Sequence, residues 1–112
     1  MKVQKPIDIK NLTPLETTHW PQISPLNPQI GKKFIIKVQI GQKPHPMTAD
    51  HLILYIELYA GNKPIGKKFL KPGDLPEAEF TVLLEKPTKI IAHSFCNLHG
   101  LWENQKEISL PL

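Results

Sequence analysis

From Gly31 onward the chain alternates apolar and polar residues in short runs. Phe34, Ile36, Val38 and Ile40 share one parity, with Ile35, Lys37 and Gln39 between them. A period of two describes a strand with one buried face. His51 to Tyr59 is apolar on both parities. Leu52, Tyr55, Ile56 and Tyr59 satisfy helical spacing. The β-branched and aromatic content, and the Ala60-Gly61-Asn62 stop, instead predict a central strand. Another strand is expected from Lys63 to Leu70, then a turn at Lys71-Pro72-Gly73-Asp74. Phe80, Val82 and Leu84 alternate again, and strands over Thr88 to Cys96 and about Gln105 to Leu110 complete the set. Residues 1 to about 30 differ in texture. Pro6, Pro14, Pro21, Pro25 and Pro28 predict an extended, irregular arm with few regular elements.

Short strands at close spacing, separated by Gly and Pro turns, predict an all-β fold: an immunoglobulin-like antiparallel β-sandwich over 31–112 with an irregular N-terminal arm over 1–30. A chain of 112 residues suits a single domain, 1–112. Proline excludes the helical alternatives. There are 12, roughly twice the usual ~5%, and each interrupts helical hydrogen bonding. The longest apolar run, Leu52 to Ile56, is far short of the ~20 residues a membrane span needs. Met1 to Pro6 has no apolar leader-like stretch, and one cysteine forms no internal disulfide. A cytoplasmic location is the expectation. The net charge is +4, and every basic residue is lysine. Nucleic-acid readers lean on arginine's planar fork, so nucleic acid is not an expected partner. A mild positive field suits a small anionic substrate or an acidic protein partner.

The candidate chemistry lies in the histidines and the cysteine. Cys96-Asn97-Leu98-His99 is a C-x2-H pair, a spacing that lets one turn bring thiolate and imidazole to one ion. Equally, Cys96 suits a small buried apolar position. In Pro44-His45-Pro46-Met47-Thr48-Ala49-Asp50-His51 the prolines restrict the backbone around His45. The alternative is a pair of ordinary loop histidines. His19, in Thr17-Thr18-His19-Trp20-Pro21, is either a ligand carried by the arm or a surface residue beside an anchoring tryptophan. These four histidines and the cysteine all fall at loops or strand ends, where a sandwich gathers residues at one rim. His93, of opposite parity to Cys96, reads as structural. Four imidazoles and a thiolate exceed a tetrahedral zinc shell. They suit iron, with the nitrogens in a plane and the sulfur on the axis.

Lys43 to His51, Tyr55 to Tyr59, Lys68 to Asp74 and Phe95 to Glu103 together resemble the superoxide reductases, the neelaredoxin and desulfoferrodoxin iron-domain family. The resemblance runs from about Pro14 to the C-terminus. Its specific parts are the P-H-P-x-T-x-x-H and C-N-x-H-G-L-W segments. It implies one mononuclear iron per chain, with His19, His45, His51 and His99 in the plane and Cys96 on the axis. It implies an enzyme that reduces superoxide to hydrogen peroxide and is re-reduced by an external donor such as rubredoxin. It also implies a homo-oligomer, a tetramer in many members, of the one-iron class without a rubredoxin-like domain. The family's Glu-Lys-His-x-Pro reads Thr17-Thr18-His19-Trp20-Pro21 here. Thr18 stands in the lysine's place and Glu16 lies one position before the glutamate's, so these two are the candidate catalytic residues. Lys10, Lys43 and the Lys32-Lys33 pair are candidates for the missing positive charge. Trp20 and Trp102 are expected to pack around the metal. The competing reading is a metal-stabilised sandwich that binds partners or carries electrons without superoxide chemistry.

Overall fold

A computed structural model describes residues 2–109. Its elements run β1 (Val3–Gln4), α1 (Pro14–His19), β2 (Pro21–Leu26), β3 (Lys33–Ile40), β4 (Ile53–Ala60), β5 (Lys63–Phe69), β6 (Glu77–Leu83), β7 (Thr88–Cys96) and β8 (Gly100–Ile108). A five-stranded sheet ordered β1-β8-β7-β4-β5 faces a three-stranded sheet ordered β2-β3-β6. The fold is the expected immunoglobulin-like sandwich, with one exception to its antiparallel pairing: β1 runs parallel to β8, Val3 opposite Leu101 and Gln4 opposite Trp102.

The alternation in β3 places Phe34, Ile36, Val38 and Ile40 inward, and all four are buried. They meet Ile56 and Leu58 of β4 and Ile90 and Ala92 of β7 in one apolar cluster. In β7 the inward parity continues through Ser94 to Cys96, which are fully buried. β4 is apolar on both parities for a different reason from burial on both faces. Its pairing with β7 slips between Ile53 and Tyr55, so Ile53 and Ile56 both point inward although three residues apart. Tyr55 and Tyr59 then lie half-buried on the outer face.

The arm is more regular than its prolines suggest. It holds β1, α1 and all of β2. Pro21 and Pro25 fit in β2 because that strand is the edge of its sheet, where a missing donor is tolerated. The last strand begins at Gly100, not near Gln105. Leu101 and Trp102 are buried side by side, which hides the alternation there. Leu110, the expected end of that strand, lies outside the described residues.

Candidate metal centre

Helix α1 has six residues, and its start explains its stability. Thr13 Oγ1 accepts the Glu16 N–H at 3.1 Å, and Glu16 Oε1 accepts the Thr13 N–H at 2.9 Å. This reciprocal cap, with Pro14 at the first helical position, fixes a helix otherwise too short to persist. It delivers His19, 1% exposed, at its last residue. The buried Ser94 hydroxyl donates to the His19 carbonyl at 3.2 Å, tying the arm to β7. On the other side α1 lies against Gly41. A Cβ there would sit 2.5 Å from the Thr17 carbonyl oxygen and 2.9 Å from the Thr18 carbonyl carbon, so only glycine allows the approach. The Lys43 N–H donates to that same Thr17 oxygen at 3.3 Å.

His45 follows β3 after the turn at 41–44, and its N–H donates to the Ile40 carbonyl at 2.7 Å. Thr48 holds the backbone of His51, its hydroxyl accepting the His51 N–H at 3.1 Å. Cys96 ends β7 and His99 closes the turn into β8. The His99 carbonyl accepts from Gln4 Nε2 at 2.6 Å and from the Trp102 indole at 3.2 Å.

The four rings form a square. Successive centroids lie 4.5 Å apart for His19–His45, 4.6 Å for His45–His51, 5.1 Å for His51–His99 and 4.9 Å for His99–His19. Each neighbouring pair is steeply inclined, by 66° to 88°. The diagonal His19–His51 is longer, 6.1 Å, with rings only 30° apart. One ligand atom from each of His19, His45, His51 and Cys96 lies within 4.8 Å of all the others. The Cys96 sulfur is 3.5 Å from His45 Nε2 and 3.8 Å from His99 Nδ1.

Hydrogen bonding fixes two tautomers. His19 Nδ1–H donates to the Leu15 carbonyl at 2.7 Å, and His45 Nδ1–H donates to the Pro46 carbonyl at 2.6 Å. Each neutral ring therefore carries its lone pair on Nε2. Those two Nε2 atoms face each other at 3.0 Å with no proton between them. Burial pushes both rings below the ordinary histidine range despite their carbonyl partners, and the other histidines add to the effect; His45 falls to about 4. Protonation is thus no remedy for the opposed lone pairs. His51 Nε2 is buried with no partner at all.

A cation resolves all of this. A 3.0 Å gap is the separation of two nitrogens at right angles about an ion with metal–imidazole bonds of ~2.1 Å. Four rings in a square with a sulfur to one side do not suit tetrahedral zinc but do suit iron. The residues fit one mononuclear iron.

Of the sequence candidates, the structure brings His19, His45, His51, Cys96 and His99 to one rim, with His99 at its edge. Glu16 is not in the cluster: its carboxylate is committed to the Thr13 cap, which explains its burial. The Thr18 hydroxyl bonds back onto the Leu15 carbonyl at 3.2 Å and lies 3.0 Å from His19 Nδ1, so it supports the ring from behind. Lys32 and Lys33 are excluded as rim charges. They stand at the start of β3, Lys33 being its first residue, and the far end of that strand, on the His45 side, is some 23 Å away at ~3.3 Å per residue. Lys43 is bonded to the helix that carries His19. Trp102 is buried with its ring 5.3 Å from His19, whereas Trp20 turns its indole N–H to the Glu103 carbonyl. His93 faces outward to Glu103 at 2.9 Å. Gln4, Gly41 and Ser94 went unread in the sequence, and Thr48 and Asn97, though part of the two specific segments, carried no assigned role there. They position backbone, and no motif marks that job.

A family model described as desulfoferrodoxin matches residues 11–105. The chain is 51% identical over 67 residues to the desulfoferrodoxin of Nitratidesulfovibrio vulgaris, covering 60% of this chain and 50% of that one. It is 39% identical over 89 residues to the superoxide reductase of Pyrococcus horikoshii, covering 70% and 77%. The chain spans about half the length of the desulfoferrodoxins it matches. The solved superoxide reductase (neelaredoxin) of Ignicoccus hospitalis superposes with a TM-score of 0.74 at 37% identity, covering 84% of this chain and 82% of that one. A solved structure from Thermotoga maritima aligns with 100% of this chain and 99% of its own, with a TM-score of 0.81 at 26% identity.

Proposed function

The chain belongs to the desulfoferrodoxin family, and on that premise we propose that it is a superoxide reductase whose single iron is held by His19, His45, His51, His99 and the Cys96 thiolate. The observation that carries this reading is the pair of opposed, proton-free Nε2 atoms of His19 and His45, 3.0 Å apart beside a buried sulfur. Iron bound there supplies the one electron that, with two protons, converts superoxide to hydrogen peroxide, before an external donor restores it.

The protein's part is positional. The Leu15 and Pro46 carbonyls hold two rings in the ligating tautomer. Trp102 and the inward face of β7 keep water from the deep side. Thr18 carries no charge, so the attraction of an anion is assigned to a lysine, with Lys43 favoured because its backbone N–H is bonded to the helix that carries His19.

The finer readings have their own support. The apolar Leu98, 61% exposed between Cys96 and His99, offers a contact beside the thiolate for an electron donor. The lysine-only positive charge favours an acidic one such as rubredoxin. Phe69, 71% exposed, and Leu75 favour a homo-oligomer, with a tetramer as the family-based expectation. No helix among the described residues is long and apolar enough to cross a membrane. We place the enzyme in the cytoplasm. Residues 1–112 act as one domain, the arm lending His19 to a sandwich that holds the other ligands.

The test is stoichiometric. Iron-loaded protein with an excess of reductant should yield one peroxide per superoxide consumed. One peroxide per two would mean dismutation, and no consumption would leave only the binding or electron-carrying alternative.

A further inference from the structure

His51 is the weakly anchored member of the square. Carbonyls fix the rings of His19 and His45, whereas His99 and His51 are held through backbone carbonyls that each take two donors. The His51 ring itself has no carbonyl partner, and its Nε2 is the buried atom without a partner. Its aim depends on the two peptide planes that flank its Cα.

Thr48 bonds the His51 N–H and carbonyl from within the loop, and the Asn97 side chain grips the same two planes from β7. Asn97 Nδ2 donates to the Asp50 carbonyl at 2.9 Å, on the peptide before His51. Asn97 Oδ1 accepts the Leu52 N–H at 3.0 Å, on the peptide after it. The Asn97 backbone N–H adds a bond to the Leu52 carbonyl at 3.2 Å. The β4–β7 ladder ends at Ile53 opposite Cys96, so Asn97 carries the pairing one step further with its side chain. Asparagine is the residue for this because its amide offers a donor and an acceptor at once. Its neighbour in the chain is Cys96.

We propose that Asn97 is a positioning residue that sets the His51 ring against the Cys96 sulfur and thereby tunes metal affinity. The inference rests on the reading of the rim as a metal site. Asn97 touches neither metal nor substrate in this account; it acts through His51.

The test is a double-mutant cycle read by cobalt(II) binding, with a competing chelator for affinity and the sulfur-to-cobalt absorption for geometry. Asn97→Ala should weaken cobalt binding about 10- to 100-fold, as loss of a partner behind a ligand does. It should also shift the absorption band. Asn97→Asp keeps the acceptor for Leu52 but turns a carboxylate oxygen on the Asp50 carbonyl, so it should lose affinity too. In a His51→Ala background either change should cost less than about twofold more. Losses that simply add in that background, or an unchanged affinity in both single variants, would overturn the inference. Should Asn97→Ala fail to fold, the Asn97→Asp cycle decides on the same criteria. A wild type that takes up cobalt without a sulfur band would instead overturn the metal-site reading itself.

Discussion

Between the sheets, Ile36, Val38 and Ile40 meet Ile56, Leu58, Ile90 and Ala92, none of them exposed to water. At the rim, α1, the double-proline loop and the β7–β8 turn meet mainly through single hydrogen bonds: Ser94 to His19, Lys43 to Thr17, Asn97 to Asp50 and Leu52. The interior is held by apolar area, which tolerates small shifts because it has no direction. The rim is held by directional contacts around atoms that repel one another until an ion joins them. Stability and function thus reside in different regions, and each should be separable from the other.

The largest separation should come from the interior. Ile56→Ala removes buried methylenes and should cost about 2–5 kcal/mol in urea unfolding. The molecules that remain folded should still bind one iron, because Ile56 lies opposite Ser94 in the β4–β7 ladder whereas the ligand Cys96 lies opposite Ile53. Gly41→Ala should show the reverse. Its Cβ would drive α1 off β3, and iron affinity should fall on the order of 100-fold with a smaller loss of stability. Equal damage to both properties in either variant would break the distinction.

Ser94→Ala sharpens it, since Ser94 lies inside yet serves the rim. The change leaves the buried His19 carbonyl without its donor and should cost about 1–3 kcal/mol. Iron content should drop as well, which separates it from Ile56→Ala.

The smallest effect belongs to the outer face. The Tyr59 hydroxyl donates to Glu57 Oε1 at 2.7 Å, and this bond, with burial and the carboxylate charge, pushes the phenol up to about 12. A raised phenol stabilises the fold in its protonated form. That contribution is complete below the ordinary value near 10 and is lost as pH rises from about 10 to about 12. Tyr59→Phe should flatten the stability profile in that window and leave iron binding unchanged.

The sequence was most legible where one force acted alone. Phe34 to Ile40 alternates and is a strand with that face buried, and the run Thr88 to Cys96 is the expected strand. Legibility fell where two demands met. The slip beside Ile53 mimicked a doubly buried strand, and the adjacent Leu101 and Trp102 concealed the start of β8. The arm misled because proline was weighed as a breaker, although an edge strand and a helix start both accept it. In the site, the four histidines and the cysteine that gather at the rim were readable from type and spacing. Glu16 was misread because Thr-x-x-Glu is also a cap, and the cap claimed its carboxylate. Ser94 and Gly41 were silent, and Asn97 stood in the C-N-x-H segment without a readable role, because they contact backbone, and backbone partners leave no trace in side-chain spacing.

The central claim concerns the atoms around one ion, so iron-edge X-ray absorption on loaded protein tests it most directly. The account predicts one iron per chain with one sulfur and a set of imidazole nitrogens, the sulfur vanishing in Cys96→Ser. An iron shell without sulfur in the wild-type protein would contradict it.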